Sequence, residues 1–260
     1  MRSHLKNIIW ICWGGLNMKD LLKWEIKQTL RSKSFKGMGI AFFVCMLLLI
    51  FLSVGEGDTG YELYLKNLSN FTTMVTFLGG VYAGIHFTGA FEDRRIQTAV
   101  MAGKSRLGIL AAKLISFLGS LAVYYVTSVT ASSVITYALY GAGEPEGGFF
   151  RAVIARGLVY LLVELSFASI CMIISLLIKN VGASIAVNLI SLLTLYVVGE
   201  MLIMKEELIK YMQFTPLGQI FLTFFDAGTK NLVMASFVSL FWIMAVLAVC
   251  YLKFRKEELK

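Results

Sequence analysis

The chain has 260 residues, 58% of them hydrophobic and 15% charged, with two prolines and a formal net charge of +8. Soluble domains average about 45–50% apolar and about 25% charged residues, so this composition excludes an ordinary soluble domain and points to lipid as the solvent. Four scattered cysteines, Cys12, Cys45, Cys171 and Cys250, lack the paired spacing of a zinc or redox site and read as small core residues.

A helix needs about 20 apolar residues to cross about 30 Å of hydrocarbon. Six runs qualify, at roughly 37–54, 71–91, 111–140, 152–178, 183–204 and 231–252. The fold expected is therefore all-α integral membrane with six transmembrane helices. Residues 1–17 read differently from the rest. Trp13-Gly14-Gly15 is what a purine-rich ribosome-binding site gives when translated in frame, so 1–17 is expected to be an upstream extension, Met18 the natural start and 18–260 one transmembrane domain. No cleavable secretory signal is evident, because Lys and Arg continue through residue 36.

From Met18 the pattern predicts an amphipathic helix, with Leu21, Leu22, Ile26 and Leu30 on one side and Lys23, Lys27 and Arg31 on the other. Such a helix suits a membrane surface, with Trp24 and Phe35 at headgroup level. The acidic stretch Gly55 to Gly60 after the first span reads as a turn. In the second span, Gly80 and Gly84 have the spacing that lets another helix backbone approach closely, within or between subunits. His86 reads as a polar interior contact.

Phe91 to Lys113 is charged and helix-prone, about twenty residues where connections usually have about 4–6, and so is expected to be a docking element. Glu92, Asp93, Arg94 and Arg95 can fix its start by charge pairing, and Ile96, Val100 and Met101 offer an apolar face. The third span carries Tyr124, Tyr125 and a run of Ser and Thr, which either bond back to their own helix or line a polar path. Glu164 lies near the middle of the fourth span, with Arg156 two turns before it, and Asn188 lies in the fifth. A carboxylate there costs several kcal/mol unless it is paired, protonated or wet. Glu164, Asn188, Tyr124 and Tyr125 are accordingly candidates for a substrate pathway, with a structural pair to a neighbouring helix as the rival for Glu164. Between the last two spans, Phe214-Thr215-Pro216-Leu217-Gly218 and the apolar run Ile220 to Phe225 read as a helical hairpin dipping into the outer leaflet.

Lys and Arg set the orientation. With both termini cytoplasmic, only Lys66, Arg151, Arg156, Lys205, Lys210 and Lys230 of the 24 basic residues fall outside. Topology and anionic lipid thus account for the charge, and no nucleic-acid partner is needed. Gly103-Lys104-Ser105 resembles the end of a phosphate loop, but Thr98 stands where the pattern requires glycine. His4 and His86 stand alone, so neither a metalloprotease motif nor a metal site is expected.

These features together resemble the membrane subunit of an ATP-binding cassette exporter of the ABC-2 permease family, which includes antibiotic, bacteriocin-immunity and sodium-extrusion permeases. The resemblance covers Met18 to the C-terminus. It rests on Glu92, Gly103, Ser105, Arg106 and Lys113 in the segment between spans two and three, and on Pro216 before the last span. It implies an N-terminal amphipathic elbow helix, a cytoplasmic coupling helix at 91–113 and a re-entrant outer hairpin before span six. It implies no catalysis by this chain and no bound cofactor, with ATP and Mg handled by a separate cytoplasmic ATPase subunit. A second permease subunit and a bacterial cell membrane complete the expectation. The alternatives from other classes are a non-transporting immunity or sensor protein and a secondary transporter coupled to ions through Glu164.

Overall fold

A computed structural model describes residues 18–54, 59–101, 103–143, 148–203, 211–225 and 228–256; Cys12, His4, the expected extension at 1–17 and most of the acidic turn lie outside them. The described residues are overwhelmingly helical and contain no strand. In order they form α1 (Met18–Arg31), α2 (Lys33–Leu52), α3 (Gly60–Ala83), a π-helical turn (Gly84–Thr88), α4 (Gly89–Glu92), α5 (Arg95–Met101), α6 (Arg106–Tyr140), α7 (Phe149–Leu177), α8 (Val181–Ile203), α9 (Pro216–Phe225) and α10 (Thr229–Lys256).

Six of these segments are long and apolar enough to cross a membrane, including a continuous run from Gly60 to Glu92 made of α3, the π turn and α4. The chain is thus a multi-pass membrane protein by length and composition. Burial sorts the spans: 50–56% of the apolar stretch is buried in α3, α6 and α7, against 17–22% in α2, α8 and α10. The first three form the centre, and the others leave most of their apolar side chains to lipid.

The second span starts at Gly60, not near residue 71, because two local signals extend it. The Thr59 and Glu62 side chains cap each other's backbone N–H groups, a reciprocal box that starts a helix. Beyond the cap, polar Asn67 and amphipathic Tyr64 are buried against neighbouring helices instead of facing lipid. Gly60 is needed there, since a Cβ on it falls 1.9 Å from the Gly141 carbonyl oxygen.

In α1 the expected basic stripe is exposed at Lys23, Lys27 and Arg31. Its inward face is polar, however. Glu25 and Thr29 are buried, whereas Ile26 and Leu30 remain 40% and 53% exposed. The helix therefore has three faces, one basic, one apolar and open, and one polar that packs on α6. Phe35, expected at headgroup level, stacks on Tyr124 with ring centroids 4.9 Å apart. The short α9 packs on α7, α8 and α10, burying Leu217, Gln219, Ile220 and Thr223.

Candidate functional site

The expected docking helix at 91–113 is interrupted twice. Arg94 adopts the left-handed conformation with φ 54° and Gly103 does so with φ 78°, and a left-handed residue ends a right-handed helix. Two turns of helix, α5, are all that lies between them. Its apolar residues are not all presented outward: Ile96 is buried in the main core and Val100 packs against it, leaving Met101 81% exposed. Asp93 and Arg95 pair with each other across a half-exposed 2.8 Å contact. Arg94 and Thr98 face outward, as does Ser105, whose hydroxyl caps α6 by accepting from the Gly108 N–H at 3.1 Å. Arg106 opens α6 and is half-buried.

Polar contacts bind this segment to the bundle at both ends. At its start, the Glu92 carboxylate accepts from the Val181 N–H at 2.8 Å, the first residue of α8. An anionic acceptor there satisfies an orphan donor and complements the helix dipole. At its end, the Lys113 ammonium contacts both oxygens of Glu25, at 3.1 and 3.3 Å, with both side chains about 5% exposed. Thr29 and Ser116 share a 2.8 Å hydrogen bond one turn further on, and His86 Nε2 donates to the Lys113 carbonyl at 3.2 Å. Lys113 was legible as the opening of a span, but Glu25 was not legible as its partner.

Gly80 and Gly84 admit α8 of the same chain. A Cβ on Gly80 lies 2.9 Å from Leu192 Cδ1, and one on Gly84 lies 2.8 Å from Ile185 Cγ1 and 3.2 Å from the Ile185 backbone nitrogen. Into this close contact Asn188 sends its amide, donating to the Gly80 carbonyl at 3.1 Å and to Ser175 Oγ at 2.9 Å. Thr88, in the π turn, donates to the Ser175 carbonyl at 2.8 Å. Asn188 thus ties together α3, α7 and α8, while its Oδ1 is buried with no partner.

Glu164 is 3% exposed at mid-helix in α7. Its partner is the Thr76 hydroxyl of α3, 2.8 and 3.0 Å from the two carboxyl oxygens. Arg156 is elsewhere, over the Tyr61 ring at 5.4 Å. Tyr125 from α6 and Tyr196 from α8 lie within electrostatic range of the carboxyl. Both hydroxyls approach threonines of α3, yet neither closes a hydrogen bond of regular geometry. Four helices therefore meet at one buried acid. Tyr124 does not join them, because adjacent residues diverge by about 100° on a helix; its hydroxyl donates to the Phe35 carbonyl at 2.5 Å, fastening α2.

Most α6 hydroxyls satisfy themselves on the preceding turn: Thr127, Ser128, Ser133 and Thr136 donate to carbonyls three or four residues back at 2.7–2.9 Å. Ser132 does not. Among the described residues no group of His, Cys, Asp and Glu is arranged to hold a metal ion. The arrangement ties the 91–113 segment to α1 and α8 and encloses a single carboxyl, Glu164, where α3, α6, α7 and α8 meet. Sequence reasoning missed Glu25, Thr76 and Tyr196, none of which stands out from its neighbours by type or spacing. No protein-family model matches this chain, and no curated protein matches it.

Proposed function

We propose that this chain is the membrane-spanning permease subunit of an ATP-binding cassette exporter, moving an amphipathic or hydrophobic substrate such as a peptide or antibiotic. In this reading both termini are cytoplasmic and α1 is the elbow helix on the inner membrane surface. The segment from Phe91 to Lys113 is the coupling element for a separate ATPase that binds ATP and Mg, and α9 is one arm of a re-entrant outer hairpin. A second permease subunit completes the pathway.

The observation that supports it best is the mounting of the 91–113 segment. A lever must be stiff at its anchors and free at its tip. Here Ile96 is seated in the core, and Glu92 and Lys113 are fastened to α8 and α1. Arg94, Thr98 and Met101 point outward, a basic and apolar tip fit to enter a groove in a partner.

The test is co-purification of the tagged full chain from its own cells. An ATPase subunit is expected with the wild type and is expected to be lost with Arg94→Glu combined with Met101→Glu, while the variant stays monodisperse in detergent. Absence of any ATPase from the wild-type preparation, or equal recovery with the variant, overturns the reading.

A further inference from the structure

A carboxyl group at the middle of a membrane exists paired with a cation, hydrated or protonated. For Glu164 the first is excluded among the described residues, since its hydrogen bonds run to Thr76 alone and Arg156 is engaged with Tyr61. The hydrogen positions then follow from counting. Thr76 owns a single hydroxyl proton, yet its oxygen lies 3.0 Å from the Thr72 carbonyl and 2.8 and 3.0 Å from the carboxyl oxygens. If Glu164 is charged, Thr76 can donate to the carboxylate or to the carbonyl, and the other pair becomes two acceptors facing each other. If Glu164 carries a proton, it donates to Thr76, which donates onward to Thr72, so both neighbours of the hydroxyl are bonded and only the second carboxyl oxygen is left without a hydrogen.

The surroundings are unusual in a second, independent way. Native interiors leave few buried polar atoms unbonded, but several cluster along this axis. Tyr125 OH and Ser132 Oγ, two turns apart on one face of α6, lie from Glu164 toward the end where α3 begins, and Asn188 Oδ1 and Ser184 Oγ lie toward the end where α8 begins. Tyr196 OH sits near the depth of Glu164 itself. Unsatisfied atoms on both sides of one acid are what a chain of transient waters needs for its bonding partners.

We propose that Glu164 is a proton-binding site at the middle of the membrane, loaded while α3 and α7 are closed upon it and exchanging with water when they part. In the exchange the carboxylic O–H bond breaks, the proton passes to an entering water and a carboxylate remains; the reverse step reloads it. The titratable groups around it are Tyr125 from α6, Tyr196 from α8 and Cys171 from α7 itself, with Tyr160 one turn away along α7. From α3 come only hydroxyls. The inference goes beyond the exporter reading and does not depend on what powers the chain.

Infrared spectroscopy of the full chain in lipid bilayers at neutral pH tests it. The wild type is expected to show the carbonyl band of a protonated carboxylic acid, absent in Glu164→Gln. Thr76→Val should move that band to higher frequency by removing its hydrogen bond, and Thr76→Ser should leave it in place. On transfer to D2O the band should shift before the amides of the buried helices exchange. A spectrum with carboxylate bands alone, or an acid band that exchanges no sooner than those amides, overturns the proposal. Thr76→Val keeps the test open should Glu164→Gln fail to fold.

Discussion

Replacing Lys113 with Met should be among the most destabilising single changes in this protein, and replacing Glu25 together with it should not be. The two side chains are about 5% exposed and meet through two contacts of 3.1 and 3.3 Å. Removing the cation leaves a carboxylate in a site closed to water, which costs about 3–5 kcal/mol, whereas exchanging both members for apolar residues is often neutral or stabilising by about 1–4 kcal/mol. The ammonium stem of Lys113 and an apolar Met have similar volume, so the loss is electrostatic rather than a cavity. At about 2–4 °C per kcal/mol for a chain of this size, Lys113→Met should lower the apparent Tm by about 6–20 °C. Glu25→Leu combined with Lys113→Met should stay within a few degrees of wild type. Trp24, beside Glu25 on α1, gives a local fluorescence signal for release of that helix, and Lys27→Met, an exposed cation on the same helix, serves as the control. The reasoning fails if Lys113→Met melts like the Lys27→Met control, or if the double variant loses the sum of the two single losses.

Three further contrasts follow from the backbone and the caps. Gly84→Ala, whose Cβ meets Ile185 at 2.8 Å, should lose about 1–3 kcal/mol from overpacking, while Gly79→Ala, with Leu121 no nearer than 3.5 Å, should be neutral or gain up to about 1 kcal/mol from helix propensity; a melting temperature for Gly84→Ala no lower than that of Gly79→Ala refutes the close contact of the second span with α8. Glu92→Ala removes the carboxylate cap on α8 and should cost about 0.5–2 kcal/mol, read as faster hydrogen exchange at Val181 to Ala183 with α6 amides unchanged. Arg94→Gly should relieve left-handed strain of about 1–2 kcal/mol, less the added freedom of the unfolded chain, while Gly103→Ala should introduce it; thermal shifts of the same sign count against both turns.

How much of this was legible depends on the range over which each feature is encoded. The spans were readable because a run of apolar residues is local and lipid rewards it wherever it occurs, so five of six lie within a few residues of their expected limits. The start of α3 was not, because the apolar criterion discounts a helix whose Tyr64 and Asn67 are buried against other helices. The breaks at Arg94 and Gly103 escaped for a different reason: helix-favouring residues flank both, and Arg is a rare choice for a left-handed position. Partners are the least readable class, since periodicity says which face is buried and nothing about what buries it.

Yet the partners obey a rule of their own. Tyr64 donates to the Val153 carbonyl, Thr76 meets Glu164 and Thr88 donates to the Ser175 carbonyl, with separations of 89, 88 and 87 residues. A nearly constant offset from Tyr64 in α3 to Thr88 in the π turn means that this span and α7 run parallel and in register over that length. Given two spans known to be parallel neighbours, one contact fixes the rest, and Thr76 becomes the expected partner of Glu164. The same register has a mechanical consequence. The seam that closes over Glu164 runs on through the π turn to Thr88, four residues short of Glu92, so a displacement at the 91–113 segment would reach the buried acid along one continuous span. A kinked or steeply crossed pair would dissipate it over separate contacts.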